Sequence, residues 1–287
     1  MGKGLELTDR GSRADCALKG GKTVADQNEM AGMIIPTLEL IHQHASVRRY
    51  KPDPVPQQTV EAIVAAGQRS STSSNLQTYS VVAVLDERRR TRMAELCGNQ
   101  RQILEAPVFL AWCADLSRLD RVCELRGYKQ ETAYFESSLV AIVDAAIAMQ
   151  NAALAAESLG LGICYIGAIR NEPEEVISLL ELPKLVLPVA GMTLGWPATE
   201  PLIRPRLPLE AVLHWGRYDT SEEKEALEAY DQALIATGIY EGRQVPVPGR
   251  DGEVENYGWM EHSARRASKA LRTELGTVLR RQGFGLK

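Results

Sequence analysis

Two arginines, Arg204 and Arg206, stand two residues apart in residues 191–208, GMTLGWPATEPLIRPRLP, where an apolar run gives way to prolines. Pro197, Pro201, Pro205 and Pro208 each lack a backbone donor and fix φ, which predicts a rigid, extended surface loop and forbids a helix. On extended backbone, alternation sends both guanidinium groups to one side. Such a fixed pair suits a phosphate or an anionic ring, although the spacing alone fits a solvated connector equally well. Further polar groups collect in predicted loops: His44, Ser46 and Arg48; the string RSSTSSNLQ over residues 69–77; Gln100 in a Gly-Asn-Gln turn; and Tyr165 and Gly167. They supply positive charge and many neutral donors, with no paired carboxylates, no G-x-S-x-G elbow and too few histidines to hold a metal. That set argues against hydrolysis by side chains. It suits a tightly held nucleotide-like cofactor that performs the chemistry itself.

Alternating helices and strands must position these groups. Helical spacing of Leu38, Ile41 and Ala45 predicts a first helix running through Ile41, and Val60, Ile63, Val64 and Gly67 form the inner face of a second over residues 57–68. The hydroxyl-rich string then leads into a β-rich run, YSVVAVLD, and a third helix over residues 87–96 ends at Gly98, ahead of a strand over 107–113. Residues 132–159 form a long helix that is apolar on nearly every face. A single sheet covers only one of those faces, so a second chain is expected to cover another, the alternative being a central place in one large monomer. Its end, Leu159-Gly160-Leu161-Gly162, leads into the short extended piece ICYIG; this glycine run follows a helix, so it is no dinucleotide-binding fingerprint. Asn171, with Glu174 three residues on, is expected to cap the next helix, and LVLPVAGMTLG over residues 185–195 is a buried strand. Beyond Pro208 the pattern predicts a helix over 221–237, a Gly/Pro/Asp-rich excursion over 238–258 and one basic helix over 260–281, without strands. The fold class that follows is α+β, not a doubly wound sheet.

The 287 residues are 45% hydrophobic, enough to bury a core. A formal net charge of −4 with 24% charged residues lacks the basic excess of a nucleic-acid binder. Five cysteines, Cys16, Cys97, Cys113, Cys123 and Cys164, are odd in number and form no CxxC pair, so a reduced, cytoplasmic protein is expected. No charged-then-apolar leader opens the chain, and Asp144, Gln150, Asn151 and Glu157 interrupt its most apolar helix, so no membrane span is expected. Residues 1–32 are polar and glycine-rich and read as a flexible extension. Their KGGKT run lacks the first glycine and the preceding strand of a P-loop.

Five ordered matches resemble the nitroreductase family of FMN-dependent oxidoreductases, most closely its oxygen-insensitive NADPH nitroreductase and P-type flavin reductase branch. They are HASVR at 44–48, SSTSSNLQ at 70–77, Gly98-Asn99-Gln100, AAESLGLGICYIGAIRN at 155–171 and LGWPATEPLIRPRLP at 194–208. The resemblance implies a central, mostly antiparallel sheet flanked by helices, with a long helix at a homodimer interface. It divides the chain into an FMN-binding core over 33–218 and a C-terminal helical extension over 219–287 that packs on the core and on the partner subunit. His44, Ser46 and Arg48 match a motif that holds the FMN phosphate and ribityl chain, and Arg206 a further phosphate ligand. Thr72, Ser74 and Leu76 match a loop that lines the cofactor from the partner subunit, Gln100 a glutamine at the ring edge, and Tyr165, Ile166 and Gly167 a segment along the isoalloxazine. Arg204 falls where relatives usually carry lysine, a cation that would stabilise the reduced flavin. Arg243 and Arg272 are the counterparts of arginines that grip the 2′-phosphate of NADPH. Two positions depart from the pattern: Ala45 replaces an arginine often found there, and Asn75 a common aromatic residue.

The implied reaction is a ping-pong cycle in which NADPH, or NADH, passes hydride to flavin N5 and a nitroaromatic, a quinone or free flavin then accepts it. No catalytic side chain is required. The alternatives are a family member specialised for reductive dehalogenation or for supplying flavin to a monooxygenase, and a flavin-binding protein of low turnover.

Overall fold

The computed structural model describes residues 36–247 and 250–287; the expected extension over residues 1–32, with Cys16 and the KGGKT run, lies outside them. The chain divides into two compact units, Met1–Glu39 and Leu40–Lys287. The described part of the first is the start of helix α1 (Pro36–His42). In the second, α2 (Gln57–Gly67), β1 (Tyr79–Val84), α3 (Glu87–Leu96), α4 (Arg101–Glu105), β2 (Val108–Asp115) and α5 (Ser117–Arg126) lead to the long helix α6 (Phe135–Ser158). β3 (Gly162–Ile166), α7 (Pro173–Leu179) and β4 (Val186–Gly195) complete the core, followed by α8 (Glu223–Ala236), β5 (Gln244–Pro246), β6 (Val254–Asn256), α9 (Trp259–Ala267) and α10 (Leu275–Gln282).

The main sheet runs β1-β2-β4-β3, and every neighbouring pair is antiparallel. All of β2 is buried, which explains its unbroken apolar run: helices cover both faces of the sheet. Alternation sends Leu110 and Trp112 to the side of α2 and α6, and Phe109 and Ala111 to the side of α3, α4 and α7.

A stripe of small residues, Ala141, Ala145, Ala148, Ala152 and Ala156, buries one face of α6 completely. Close approach needs more than alanine at one point: a Cβ on Gly67 of α2 would lie 2.9 Å from the Ala148 carbonyl oxygen and 3.1 Å from the Trp112 ring. By length and composition α6 is the one described helix able to cross a membrane, but its alanine face packs within the protein. The opposite face does not pack in a single chain. Phe135, Leu139, Val143 and Ile147, spaced by four, remain between 41% and 46% exposed.

The C-terminal third differs from expectation in two ways, and the start of α7 in a third. It contains strands, the short antiparallel pair β5 and β6. Its final helix is two, α9 and α10, separated by residues 268–274, within which Arg272 takes a left-handed φ of 54°. Asn171 does not cap α7, which begins after Glu172 with Pro173 in its first turn; the Asn171 side chain instead accepts a hydrogen bond from Arg272 Nε at 3.0 Å. Proline suits the first helical position because its missing N–H would be unpaired there anyway. The tail returns to the core through Leu185 N to Gln282 O (2.7 Å) and Ser138 Oγ to Gly285 O (2.9 Å).

One buried carboxylate ties α6 to the hydroxyl-rich loop. Asp144 is 1% exposed and accepts from Ser73 N (3.0 Å), Thr78 N (3.1 Å) and Thr78 Oγ1 (2.8 Å). Asp144→Ala strands both donors of the fully buried Thr78 and is expected to destabilise the fold by about 3 kcal/mol. Urea unfolding checks this; an unchanged midpoint would mean that the donors find other partners.

Candidate cofactor site

Residues 45–51 cross the edge where β3 and β4 lie side by side. Val47 N donates to Ile163 O (2.8 Å), Lys51 N to Trp196 O (2.9 Å) and Ala198 N to Arg49 O (3.0 Å), and Tyr50 bridges to Pro197. Gly162 and Gly195, partners in the β3–β4 register, leave room for the crossing. A Cβ on Gly162 would overlap Val47, and one on Gly195 would overlap Pro107 and press on the Tyr50 ring. The buried Tyr50 hydroxyl donates to Val47 O (2.9 Å) and lies 2.8 Å from Thr193 Oγ1. Burial pushes this phenol up, against the pull of the Thr193 hydrogen bond.

Alternation along the crossing segment buries Ala45 and Val47 and turns Ser46 and Arg48 outward. The irregular segment with Arg204 and Arg206 continues from β4, so both cationic groups start from the same sheet edge. Burial raises the Cys164 thiol, and the charges of Arg48 and Arg204 draw it part of the way back, so both guanidinium groups act on one sulfur. Arg49 pairs with Glu105 at 3.2 Å. Among the described residues, Arg48, Arg204 and Arg206 have no carboxylate partner.

His44 Nδ1 lies 2.6 Å from Glu157 Oε1, near the end of α6. Tyr165 stands beside the pair: burial raises its phenol, the Glu157 charge adds to the rise, and its hydroxyl donates to Gln150 Oε1 at 2.9 Å. Ile166 is buried under the sheet with Phe109 and Ile103.

A second grouping forms around an open cavity of about 610 Å³ lined by Gly98, Gln100, Gly167, Asn171, Arg266 and Arg272, among others. The structure thus brings Gln100, Gly167 and Arg272 together. Arg243 is placed elsewhere, beside the β5–β6 hairpin, with its guanidinium 6.0 Å from the Tyr240 ring centre and 5.9 Å from that of Tyr257.

Thr72, Ser74 and Leu76 sit in the loop that Asp144 clamps. Asp144 and Glu157, the anchors of that loop and of His44, are thirteen residues apart on α6, about 20 Å of helix. One chain therefore does not bring the hydroxyl loop to His44.

Residues 41–196 match the model of the nitroreductase family, and residues 204–287 that of the nitroreductase family, C-terminal domain. The chain belongs to the nitroreductase family. It is 38% identical over 252 residues to the oxygen-insensitive NADPH nitroreductase of Salmonella typhimurium, covering 88% of this chain and 99% of that protein. It is also 38% identical over 250 residues to the FMN reductase [NAD(P)H] of Bacillus subtilis, covering 86% and 97%. A solved hypothetical oxidoreductase from Bacillus subtilis matches with a TM-score of 0.82 at 36% identity, over 88% of this chain and 100% of that one. The expected α+β nitroreductase fold, with its antiparallel sheet between helices, is the observed one.

Within this nitroreductase-family site, three residues were missed as functional groups. Glu157 read only as an interruption of an apolar helix. Arg170, inside the quoted motif, is a half-buried guanidinium that donates to Val189 O; burial and the Arg272 charge both depress its pKa. Arg266 read as a solvated helix face, yet it lines the cavity. The described thiols are unpaired, and burial pushes Cys97 and Cys113 up to about 12, with the Asp115 charge adding to the rise at Cys113. Because alkylation needs the thiolate, iodoacetamide near neutral pH is expected to modify the half-exposed Cys123 well before Cys97, Cys113 or Cys164. Peptide mass spectrometry reads the order; early labelling of Cys97 or Cys113 would contradict their burial.

Proposed function

We propose that this nitroreductase-family protein is an FMN-dependent NADPH oxidoreductase that reduces small acceptors such as nitroaromatics, quinones or free flavin. The observation that carries the reading is the cationic edge of the sheet, where among the described residues Arg48, Arg204 and Arg206 have no carboxylate partner. The donor set fits FMN: guanidinium groups for a phosphate, the Ser46 hydroxyl for a ribityl chain, and the apolar edge of β3 for a ring. Glu157 Oε2 and Ser70 Oγ are buried without a protein partner, as expected of groups that border a ligand.

Bound FMN supplies the hydride relay between NADPH and the acceptor. The protein's part is binding and electrostatics. Arg48 and Arg206 hold the phosphate, with His44 and Ser46 beside it. Arg204 keeps a fixed positive charge near the ring, where negative charge grows on reduction. Tyr165 and Gly167 would line the ring, with only the backbone of the buried Ile166 available between them, and Gln100 would meet its edge. The cavity of Gln100, Gly167, Arg266 and Arg272 would receive the nicotinamide donor, its two arginines being suited to a phosphate. Arg243 contributes a further charge on the excursion. NADH is an alternative donor, in keeping with the FMN reductase [NAD(P)H] among the relatives.

A homodimer belongs to the same reading. Two apolar faces support it: the α6 stripe of Phe135, Leu139, Val143 and Ile147, and the segment holding Leu202, Ile203, Leu209, Val212, Trp215 and Tyr218, all exposed in the single chain. A second copy on α6 would carry its own Thr72, Ser74 and Leu76 to the His44 side of the first, a distance one chain does not span. The core is assigned to residues 33–218 and the extension to 219–287. A cytoplasmic setting follows from the unpaired thiols.

Purified wild-type protein is expected to be yellow, with one FMN per chain, and to bleach on anaerobic addition of NADPH. Arg48→Ala is expected to weaken FMN binding roughly 30-fold, through loss of charged hydrogen bonds to the phosphate. Equilibrium dialysis of the flavin measures it. Full flavin retention by Arg48→Ala would remove Arg48 from the phosphate site, and absence of bleaching in the wild type would refute the reductase.

A further inference from the structure

We infer that Glu157 is a positioning residue for His44: it accepts the Nδ1 proton, fixes the tautomer and orientation of the ring, and so leaves Nε2 as the one nitrogen that faces the cofactor. The inference rests on the reading of His44 as a cofactor contact.

A carboxylate beside a phosphate-binding edge is electrostatically out of place. Its charge opposes the anionic ligand that Arg48, Arg204 and Arg206 would attract. The geometry resolves the conflict by assigning that charge to the histidine. The Glu157 side chain is only 12% exposed, and its Oε1 lies 2.6 Å from His44 Nδ1, within the short range of a charge-assisted hydrogen bond. No other donor competes: the neighbouring Tyr165 hydroxyl is spent on Gln150 Oε1, and Glu157 Oε2 has no partner among the described residues. A buried carboxylate oxygen left without a donor costs stability. A neutral residue at the end of α6 would avoid that cost if support of the helix were the whole of the role.

The consequence for His44 follows from imidazole chemistry. A free ring populates two tautomers and two flipped orientations, and it must be ordered when a ligand arrives. With the Nδ1 proton committed to Glu157, a carboxylate backing a histidine as in metal sites, ring plane and tautomer are set in advance. The anchor is also rigid, because Glu157 projects from a helix whose other face is locked by buried alanines.

Two measurements test this. The chain has four histidines, so ¹⁵N imidazole spectra of the flavin-free protein can be assigned by single substitutions. His44 is expected to carry its proton on Nδ1 in the wild type and to lose that preference in Glu157→Leu. A wild-type ring protonated only on Nε2 would overturn the inference without any variant having to fold. The second measurement is the FMN dissociation constant. Glu157→Leu is expected to weaken binding roughly 10- to 100-fold, as loss of a supporting carboxylate does for other histidine ligands. Glu157→Gln keeps an acceptor for the Nδ1 proton and is expected to stay within about threefold of wild type. In a His44→Ala background, Glu157→Leu should cause no further loss. Additive losses, or a glutamine as poor as the leucine, would assign Glu157 a purely structural part. A wild type that binds no FMN would overturn the functional reading itself, whereas a flavin-binding wild type with additive losses overturns only this inference.

Discussion

Helix α6 can lie as close to α2 and the sheet as it does only because Ala148 meets Gly67, where even a methyl group would collide with backbone and with Trp112. That close approach fixes the helix as a rod, and the rod sets the geometry of the site. Asp144 and Glu157 both project from it. The first gathers three donors from the hydroxyl loop and from Thr78, and the second holds His44. Burying a carboxylate is costly unless donors surround it. Asp144 meets that condition and Glu157 meets it by half, which is the expected contrast between a structural clamp and a group that borders a binding site.

The patterns that were legible in the sequence are those that local chemistry enforces. Prolines at 197, 201, 205 and 208 keep the segment after β4 free of α-helix, as their missing donors require. Apolar runs marked β2 and β4 because both strands are covered on two sides. Glycines marked the end of α3, where Gly98 takes φ 78°. The losses came where distant residues decide. The predicted final helix contains no proline, and its one glycine, Gly276, lies inside α10, so no local signal marks the break, within which Arg272 bonds Asn171, 101 residues away. β5 and β6 are three residues each, half of them polar and all but Val245 exposed, too short for alternation to be detected. Glu157 lies 113 residues from His44, and no local pattern connects them.

Net charge was a poor guide to the site, and its distribution a good one. The chain is acidic overall at −4, yet the sheet edge is cationic. The adjacent arginines Arg48 and Arg49 make the point. Arg49 is neutralised by Glu105, which Arg101 also contacts, while Arg48 points to the other side of the extended segment and meets no carboxylate. Period-two geometry separates a paired arginine from an unpaired one at neighbouring positions. The same alternation buries Ala45, so in the proposed site the charge would come from Arg48, Arg204 and Arg206.

The hydroxyl loop carries the remaining constraint. Ser74, Asn75 and Gln77 all take positive φ, between 48° and 57°, without a glycine among them. Each such residue costs on the order of 1 kcal/mol and persists only where the surroundings hold it. Asp144 supplies that hold through Ser73 and Thr78, the residues that flank the strained ones. A loop shaped in this way before any ligand arrives has less entropy to lose on binding. The loop is separated from its own chain's His44 by the length of α6 between the two carboxylates. The held strain of this loop and the exposed apolar stripe on the same helix are the two features on which the proposed dimer rests.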